Sequence, residues 1–288
     1  MKQQNERILA VVVTYNRLEL LKRCIQSLLS QTFKDFDILI INNGSTDGTK
    51  EWLDTLPDSI IRIHQDNLGG AGGFYAGQKY GMESNYDWIW MMDDDGVPDC
   101  RQLEELLNAA MYAGANIIAP IVLNIDQQDE EAFYPGNKLM LPKGMISENT
   151  RYVCPFNGIM FNRSVMENIG LIKKELFIWG DEREYTLRWR NAGYKEIAAL
   201  KAVHYHPKIK TVYDNVFPFT SRYRVSIKPK HLSKYYYHNN GYINRRYFPA
   251  RVTLIEGLLY SFYFIRKLEL KEFSKFIKYY LKGVLNHD

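Results

Sequence analysis

Short apolar runs alternate with helix-like segments through the first half of this 288-residue chain, and this alternation constrains the fold most. The runs are rich in β-branched or aromatic residues and are four to six residues long, as buried strands are. Apolar residues at helical spacing follow them, as at Leu18, Leu21, Ile25 and Leu28. Strands that alternate with helices predict βαβ units and a largely parallel sheet. The predicted strands are Ile8–Val13, Ile38–Ile41, Ile60–Ile63, Trp88–Met92 and Asn116–Ile121.

Each of the first four predicted strands ends in a polar cluster. The carboxyl ends of parallel strands meet at one edge of the sheet, which is where open α/β sheets bind ligands. Four unrelated turns are the simpler alternative, but their coincidence on one edge favours a ligand site. The clusters are Thr14–Asn16, Asn42-Asn43, Asp66-Asn67 and Asp93–Asp95.

The acidic triplet is the most informative of these clusters. Three adjacent carboxylates repel one another unless a cation lies among them. In an extended segment side chains alternate, so Asp93 and Asp95 are predicted to project to one side and Asp94 to the other. Two carboxylates suit Mg²⁺ or Mn²⁺, and such ions usually bind substrate phosphates as well. The triplet therefore predicts a metal and diphosphate site, with an acidic turn before the next helix as the alternative.

A glycine-rich segment follows the third predicted strand. Gly70 and Gly72 match the start of the dinucleotide-binding fingerprint, but Tyr75 stands where its third glycine belongs. We interpret the segment as a loop whose backbone approaches a bulky ligand closely. A simple flexible turn is the alternative.

Two later segments carry groups that could take part in chemistry. Asp181 and Glu182 are predicted to open a helix, where the helix dipole favours carboxylates. His204 and His206 follow a predicted strand and share one face of an extended segment. Either histidine could bind a metal, and a structural role is the alternative for both. Residues 122–150, between these groups and the triplet, are predicted to form loops or short antiparallel strands.

The composition narrows the class of protein. With 46% hydrophobic and 24% charged residues, the chain is ordinary for a globular protein. A net charge of +4 is too small to indicate nucleic-acid binding. The three scattered cysteines, Cys24, Cys100 and Cys154, predict a reducing compartment. With neither a signal peptide nor a run of about 20 apolar residues, the sequence predicts a cytoplasmic protein.

The last part of the sequence, residues 230–288, is predicted to be a helical, basic and aromatic extension of a domain that spans residues 1–229. One helical stripe is apolar and another is basic, a pattern that indicates peripheral contact with an anionic membrane surface, here the inner face of the cell membrane. A solvated charged face is the alternative. The basic stripe consists of Lys267, Lys271, Lys275, Lys278 and Lys282, and the apolar stripe of Leu270, Phe273, Ile277, Leu281 and Val284.

Three of these motifs, in their order and spacing, resemble the inverting glycosyltransferases of family 2: Val11–Asn16, Gly44–Thr49 and Asp93–Asp95. The similarity covers about residues 7–240. It implies the GT-A fold, an α/β architecture in which helices flank a single, mostly parallel nucleotide-binding sheet, with a helical C-terminal extension. Asn67–Phe74 and Trp179–Tyr185 most resemble bacterial galactofuranosyltransferases, and rhamnosyltransferases are the near neighbours.

The resemblance implies roles for individual residues. Asp95, Asp93 and His206 would hold Mn²⁺ or Mg²⁺, and His206 fits better than His204. Glu182 would be the catalytic base, with Asp181 as the alternative. The residues implied to bind the nucleotide sugar are Thr14, Tyr15, Asn16, Asn43, Asn67, Gly70, Gly72, Gly73, Asp93 and Asp94.

The function implied is inverting, metal-dependent transfer of galactofuranose from UDP-galactofuranose to a saccharide or polyprenyl-linked acceptor in surface polysaccharide synthesis. A rhamnosyltransferase that uses dTDP-rhamnose is the alternative donor specificity. A non-catalytic nucleotide-sugar-binding protein is an alternative of another class. A nucleotidyltransferase would need a basic glycine-rich loop directly after the first strand, where Thr14–Asn16 stand instead.

Overall fold

A computed structural model describes residues 6–133, 141–208 and 211–286 of the chain. The strands in these ranges are β1 (Ile8–Thr14), β2 (Asp37–Asn42), β3 (Ile60–His64), β4 (Trp88–Asp93), β5 (Val97–Pro98), β6 (Ile117–Asn124), β7 (Ile146–Ser147), β8 (Asn157–Asn162), β9 (Glu196–His206), β10 (Tyr213–Phe217) and β11 (Thr220–Ser226). The helices are α1 (Leu18–Leu29), α2 (Thr49–Leu53), α3 (Gly69–Glu83), α4 (Gln102–Ala113), α5 (Arg163–Ile169), α6 (Asp181–Asn191), α7 (Ser233–Tyr247), α8 (Ala250–Arg266) and α9 (Leu270–Leu285).

The described chain divides into two compact units. The first comprises the described residues up to Glu175 and those from Arg188 as far as residue 208. The second comprises Leu176–Leu187 and the described residues from 211 onward, so that helix α6 begins in one unit and ends in the other. The boundary predicted after residue 229 stays a prediction.

One mixed sheet organises the first unit, in the order β3-β2-β1-β4-β8-β6-β9-β5, with β7 also paired to β9. Strands β3, β2, β1 and β4 are parallel, as the alternation of strands and helices predicts. Strand β8 is antiparallel to both β4 and β6, and β6 is parallel to β9. All residues of β1 and β6 are buried, as befits strands covered on both faces. The parallel pairs align Thr14 with Asn42 and Val13 with Asp93, which brings the predicted clusters to one edge.

The glycine-rich segment forms the first turns of α3, so the interpretation as a loop is wrong. Glycine disfavours helices by about 1 kcal/mol per residue, which is why its sequence indicates a loop. Packing overrides this preference, because Gly73, Gly77 and Gly81 recur every four residues and line the face of α3 that lies on the sheet. Side chains that a Cβ at these positions would overlap are those of Val13, Val11 and Ile89, respectively.

The segment between β6 and β8 is irregular where it is described, as the sequence predicts. It contains an isolated bridge between Leu123 and Glu131 and the two-residue strand β7. Residues 134–140, which fall within the prediction for 122–150, lie outside the described ranges.

The second unit contains helices α7, α8 and α9 and the hairpin β10–β11 beside the start of α6, and the helical prediction for the last part of the sequence is confirmed over the described residues. Helices α7 and α9 lie very close together, because a Cβ on Gly241 would overlap the backbone of Tyr280 and one on Gly283 that of His238. None of the helices in the described ranges combines the length and apolar character needed to cross a bilayer. The buried core of this unit consists mainly of aromatic rings: Tyr237, Tyr260, Tyr263, Phe264, Phe276 and Tyr280, with Val216 and Val225.

Candidate active site

The acidic triplet lies where β4 ends. Asp93 is the last residue of the strand, and Asp94 and Asp95 follow in a turn. The Asp94 carboxylate is buried and accepts hydrogen bonds from Thr14 Oγ1 at 2.7 Å and Arg17 Nη1 at 3.1 Å. The same Arg17 nitrogen donates to Asp95 Oδ2 at 2.9 Å. The predicted projection of Asp94 and Asp95 to opposite sides is therefore wrong, because the extended backbone ends one residue earlier.

Arg17 is a site residue that the sequence reasoning did not single out. It directly follows the Thr14–Asn16 cluster, which was the only available signal. Its guanidinium offsets the repulsion between two adjacent carboxylates. Burial raises the pKa of Asp94, and the charge of Arg17 with the hydrogen bond from Thr14 opposes that rise. The triplet is therefore partly neutralised by the protein itself.

Asp95 and His206 form the pair that best fits a metal ion. Asp95 Oδ1 lies 3.2 Å from His206 Nε2, and this buried oxygen makes no well-aligned hydrogen bond. His206 Nδ1 lies 2.6 Å from the carbonyl oxygen of Pro207. If Nδ1 carries the proton and donates it there, Nε2 presents its lone pair towards Asp95, as in many metal-binding histidines. Adjacent ligands of an octahedral ion with bonds of about 2.0–2.1 Å are about 3 Å apart, so the two atoms fit such an ion.

Two protein ligands do not fill the coordination shell of an octahedral ion. In the part of the chain that the structure describes, no group of three His, Cys, Asp or Glu side chains is arranged to hold a metal. Mg²⁺-type sites commonly combine one or two carboxylates with substrate phosphates and water. The donor set therefore fits an ion that binds together with a diphosphate. Asp93, two residues before Asp95, is partly buried and remains a predicted third ligand.

The other histidine, His204, has a different environment. It is fully buried, and its Nδ1 lies 3.1 Å from Gln102 Oε1. A Cβ on Gly96 or Gly158 would overlap its ring, so both glycines make room for it. Burial lowers the pKa of His204 to about 3, which keeps the ring neutral. In the structure it is His206, and not His204, that lies beside Asp95.

The segments after β1 and β2 are tied together by polar side chains. Asn16 accepts a hydrogen bond from Thr46 N at 2.6 Å and adopts a positive φ of 54°. The Asp47 carboxylate accepts hydrogen bonds from Leu18 N at 3.1 Å and Thr49 N at 3.2 Å, so it serves the first turns of both α1 and α2. Tyr15, by contrast, is 45% exposed. The Gly44–Thr49 turn therefore fixes the backbone around an accessible aromatic ring.

The Asn43 amide is used within the protein. Its Nδ2 donates to Gly69 O at 2.8 Å, and its Oδ1 accepts from Gln65 Nε2 at 2.8 Å and Leu68 N at 3.2 Å. Asn67 Oδ1 accepts from Gly69 N at 2.9 Å. These bonds hold the segment that leads into α3. Direct contact of Asn43 or Asn67 with a nucleotide sugar stays a prediction.

Among the glycines predicted to bind a donor, Gly70 differs from its neighbours. A Cβ on Gly72 would overlap the side chain of Leu68, and one on Gly73 would overlap Val13, so packing within the protein accounts for both. A Cβ on Gly70 would meet no atom within 4 Å. Gly70 is therefore the position at which this segment leaves space beside the backbone.

The predicted acid pair opens α6, as the sequence indicates. Asp181 is buried, whereas Glu182 remains exposed. Burial raises the pKa of Asp181 to about 6, against the backbone N–H groups at the helix start, and Glu184 adds to the rise. Loss of hydration and the charge of Asp181 raise the pKa of Glu182, and Lys228 opposes the rise. Since Glu182 still contacts solvent, hydration moderates this rise.

A strained loop precedes these acids. Phe177 and Trp179 have positive φ angles of 60° and 56°, which are unfavourable for bulky residues. The two hydrogens of Asn239 Nδ2 are shared among the carbonyl oxygens of Leu176, Ile178 and Trp179, at 2.7, 3.1 and 2.9 Å, and this stabilises the loop. Asn239 is a positioning residue that no local pattern indicates, because its partners are distant in sequence. Strain of this kind is concentrated at functional sites.

Lys228 is a further residue that the sequence reasoning missed. Its ammonium lies 4.9 Å from the ring centroid of Trp179 and 5.1 Å from that of Tyr236. Burial lowers the pKa of Lys228, and Glu182 opposes this change. The start of α6 thus combines two acids, a cation and aromatic rings within the second unit.

The sequence profile of Glycosyl transferase family 2 matches residues 9–170, and the chain belongs to this family. Galactofuranosyltransferase GlfT1 of Mycolicibacterium smegmatis is 31% identical over 216 residues, which cover 70% of this chain and 71% of that protein. The resemblance drawn from the motifs is confirmed, and the chain is a glycosyltransferase.

Solved structures confirm the fold. Staphylococcus aureus TarS 1–349 in complex with UDP-GlcNAc matches 96% of this chain and 92% of its own, with a TM-score of 0.57 and 11% identity. The mannosyltransferase PcManGT of Pyrobaculum calidifontis, in complex with GDP-Man and Mn²⁺, matches 83% of this chain and 63% of its own, with a TM-score of 0.52 and 15% identity. At these identities the likeness concerns the fold alone, and that fold is GT-A.

Proposed function

We propose that this glycosyltransferase is inverting and metal-dependent and uses UDP-galactofuranose as its donor. The observation that carries the donor assignment is the 31% identity to GlfT1 over 70% of the chain. The sequence segments Asn67–Phe74 and Trp179–Tyr185 support the same sugar. The proposed acceptor is a saccharide or polyprenyl-linked saccharide of a surface polysaccharide.

The proposed donor site uses the carboxyl edge of the sheet. Asp95 and His206, with Asp93, would hold Mn²⁺ or Mg²⁺, and the ion supplies positive charge next to the departing diphosphate. The Mn²⁺ in the PcManGT complex is consistent with this choice of ion. Arg17 holds Asp94 and Asp95 through one nitrogen and so fixes the orientation of the carboxylates.

The nucleotide would bind beside this acidic turn. Tyr15 is exposed and offers a ring on which a nucleobase can stack. The amides at the start of α3 are a favourable place for phosphate oxygens, because the positive end of the helix dipole lies there. Gly70 leaves space for the ligand at this point. Residues proposed to complete the donor contacts are Thr14, Asn16, Asn43, Asn67, Gly72, Gly73 and Asp94.

The proposed base is Glu182. Its carboxylate would accept the proton of an acceptor hydroxyl as that oxygen attacks the anomeric carbon from the face opposite the diphosphate. The bond from the anomeric carbon to the diphosphate oxygen breaks in the same step, so the configuration inverts. The raised pKa of Glu182 makes it a stronger base than an ordinary carboxylate. Asp181, which is buried, is the alternative base.

The donor assignment predicts a clear preference among nucleotide sugars. In the presence of Mn²⁺, the purified chain should release nucleoside diphosphate from UDP-galactofuranose at least about ten-fold faster than from UDP-galactopyranose, because the ring form changes the contacts of every hydroxyl. The measurement is a coupled assay of nucleotide release, with dTDP-rhamnose as the third donor. Turnover of dTDP-rhamnose without turnover of UDP-galactofuranose would show that the donor assignment is wrong.

We also propose that the chain works at the inner face of the cell membrane, with the basic stripe predicted from the sequence near anionic lipid. Lys267 of that stripe follows α8, and its other four lysines lie on α9. Two of the five lysines predicted for this stripe are paired: Lys267 with Asp214 at 2.9 Å and Lys275 with Glu272 at 2.8 Å. Exposed lysines on α9 itself are Lys271, Lys278 and Lys282. These three are the stripe's best candidates for lipid contact.

Charge reversal at these three lysines tests the electrostatic part of the proposal. Each lysine near an anionic surface is worth about 1 kcal/mol, so the triple replacement by Glu should lower binding to anionic vesicles by at least about 100-fold. Co-sedimentation with vesicles is the measurement. The control replaces Lys79, Lys195 and Lys201, which are exposed in the first unit, by Glu. If both variants lose vesicle binding equally, the effect comes from the net charge of the protein and not from the position of the stripe.

A further inference from the structure

Helix α8 exposes a long apolar face. Leu254, Ile255, Leu258, Phe262 and Ile265 are between 46% and 63% exposed. At 3.6 residues per turn these positions fall within about 100° of the helix surface, so they form one continuous stripe. An apolar stripe of this width on a protein surface usually marks an interaction site.

The opposite face of α8 already serves the protein core. Tyr260, Tyr263 and Phe264 are buried in the aromatic cluster of the second unit. The helix is therefore apolar on both faces, and only one face is covered by the described residues. The outward stripe is not needed to hold α8 in place.

The hairpin β10–β11 extends the stripe. Phe219, at its turn, is 84% exposed. The ring centroid of Phe217 lies 5.8 Å from that of Phe219 and 4.9 Å from that of Phe262. The hairpin turn and the outward stripe of α8 thus form one surface, which we call the α8 apolar surface.

The stretch of chain that carries the α8 apolar surface has a net positive charge. Residues 211–286 contain fourteen Lys and Arg and four Asp and Glu, which gives +10, whereas the whole chain has +4. The one acid of α8, Glu256, accepts hydrogen bonds from the side-chain amides of Asn240, at 3.0 Å, and Asn244. Exposed cations near its margins are Arg251 at the start of α8 and Arg222 and Arg224 of β11, whereas Lys267, just past the end of α8, pairs with Asp214.

These charges favour lipid over a second copy of the chain. In a two-fold symmetric dimer the same patch would face itself, and its cations would repel one another across the interface. An anionic bilayer instead offers negative headgroups to the cations and acyl chains to the apolar residues. Helices that lie in the membrane interface combine these two features.

We propose that the α8 apolar surface inserts into the boundary between headgroups and acyl chains of an anionic bilayer. The inference rests on the membrane-associated part of the proposed function and adds the surface that enters the lipid. Lysines on α9 contribute long-range electrostatic attraction to membrane binding. Leu254, Leu258 and Phe219 contribute the apolar area that is removed from water. Salt should weaken the first contribution and leave the second largely intact.

The test is vesicle flotation at low and high salt, with phosphatidylcholine vesicles that do or do not contain phosphatidylglycerol. The variant carries Leu254→Gln, Leu258→Gln and Phe219→Ser, and its control carries Leu29→Gln, Met111→Gln and Tyr112→Gln. The control residues are also large exposed hydrophobic residues, 51–70% exposed against 60–84% for those of the variant, but they belong to the first unit. At high salt the parent and the control should stay bound to anionic vesicles, and the variant should bind at least about ten-fold more weakly.

Two outcomes would overturn the proposal. The first is equal vesicle binding of the variant and the parent. The second is a dimeric parent and a monomeric variant in sedimentation experiments, without vesicle binding by either. Thermal unfolding of the variant checks that the exposed substitutions leave the fold intact.

Nucleotide release from UDP-galactofuranose, measured without vesicles, separates this inference from the proposed donor chemistry. A variant that loses vesicle binding and keeps release supports the inference. A parent that binds vesicles but releases nucleotide from no donor contradicts the proposed function and leaves the inference standing.

Discussion

Replacing Glu182 with glutamine is expected to lower kcat by at least about 100-fold while donor affinity and Tm stay near parental values. The amide keeps the shape of the side chain but cannot accept the proton of the acceptor hydroxyl. The side chain is exposed, so little packing changes with the substitution. The measurement is the initial rate of transfer to an acceptor, with donor affinity and thermal unfolding determined on the same preparation.

Two further variants decide between the adjacent acids. Glu182→Asp retains a carboxylate and should keep more activity than Glu182→Gln. If Asp181 is the base, Asp181→Asn should be inactive and Glu182→Gln nearly as active as the parent. Near-parental turnover in Glu182→Gln would show that the base assignment is wrong.

The same acids set the expected pH dependence. A general base works only when it is deprotonated, so the rate should fall as the pH falls through its pKa. Protein surroundings raise the pKa of both acids, for Asp181 to about 6. With Glu182 as the base, the acidic limb of kcat/KM should therefore lie clearly above pH 4.3, near which an ordinary glutamate titrates. In Glu182→Gln this limb should disappear from the residual activity.

If Mn²⁺ raises the affinity for UDP as proposed, replacing Asp95 with alanine is expected to remove that increase. Asp95 Oδ1 is buried beside His206 Nε2, and removal of the carboxylate would take away one of the two proposed ligands. Loss of a ligand should weaken the metal-dependent part of binding by at least about 100-fold. Calorimetric titration of UDP with and without Mn²⁺ measures both parts.

The control for this experiment is Asp35→Ala, which removes an exposed carboxylate from the same unit. It should leave the titration unchanged. An Asp95→Ala protein that retains the full Mn²⁺ effect would remove Asp95 from the metal site. It would leave the family membership untouched, since that depends on other observations.

The sequence predicted the parallel core and the edge on which the polar clusters meet, because these depend on local periodicity and on a general rule of α/β sheets. It predicted less well where distant residues decide. The residues by themselves left His204 and His206 open and the family resemblance favoured His206. The turn after β4 and the pairing of β5 with β9 bring His206 to Asp95. Arg17 and Asn239 were missed because their roles depend on partners far along the chain.

The glycine-rich helix shows how composition misleads. Considered without the rest of the fold, the glycines of this segment favour a flexible loop. Their close packing against β1 and β4 is the reason that glycine is needed on this face of the helix. The strained loop before α6 gives a second example. The local sequence gives no sign of the positive φ angles at Phe177 and Trp179. The hydrogen bonds that stabilise this loop come from the side-chain amide of Asn239 on α7, which is distant in sequence.

The close seating of α3 on the sheet also limits how this protein can diverge. A methyl group gained at Gly73, Gly77 or Gly81 needs an equal loss of volume from Val13, Val11 or Ile89, respectively. Substitutions at these positions are thus expected to occur in pairs, in which a larger residue on α3 accompanies a smaller residue on the strand that it contacts. If the donor binds as proposed, single changes at the half-exposed Tyr15 or at Gly70, whose Cβ would meet no atom within 4 Å, are expected to alter donor specificity more readily.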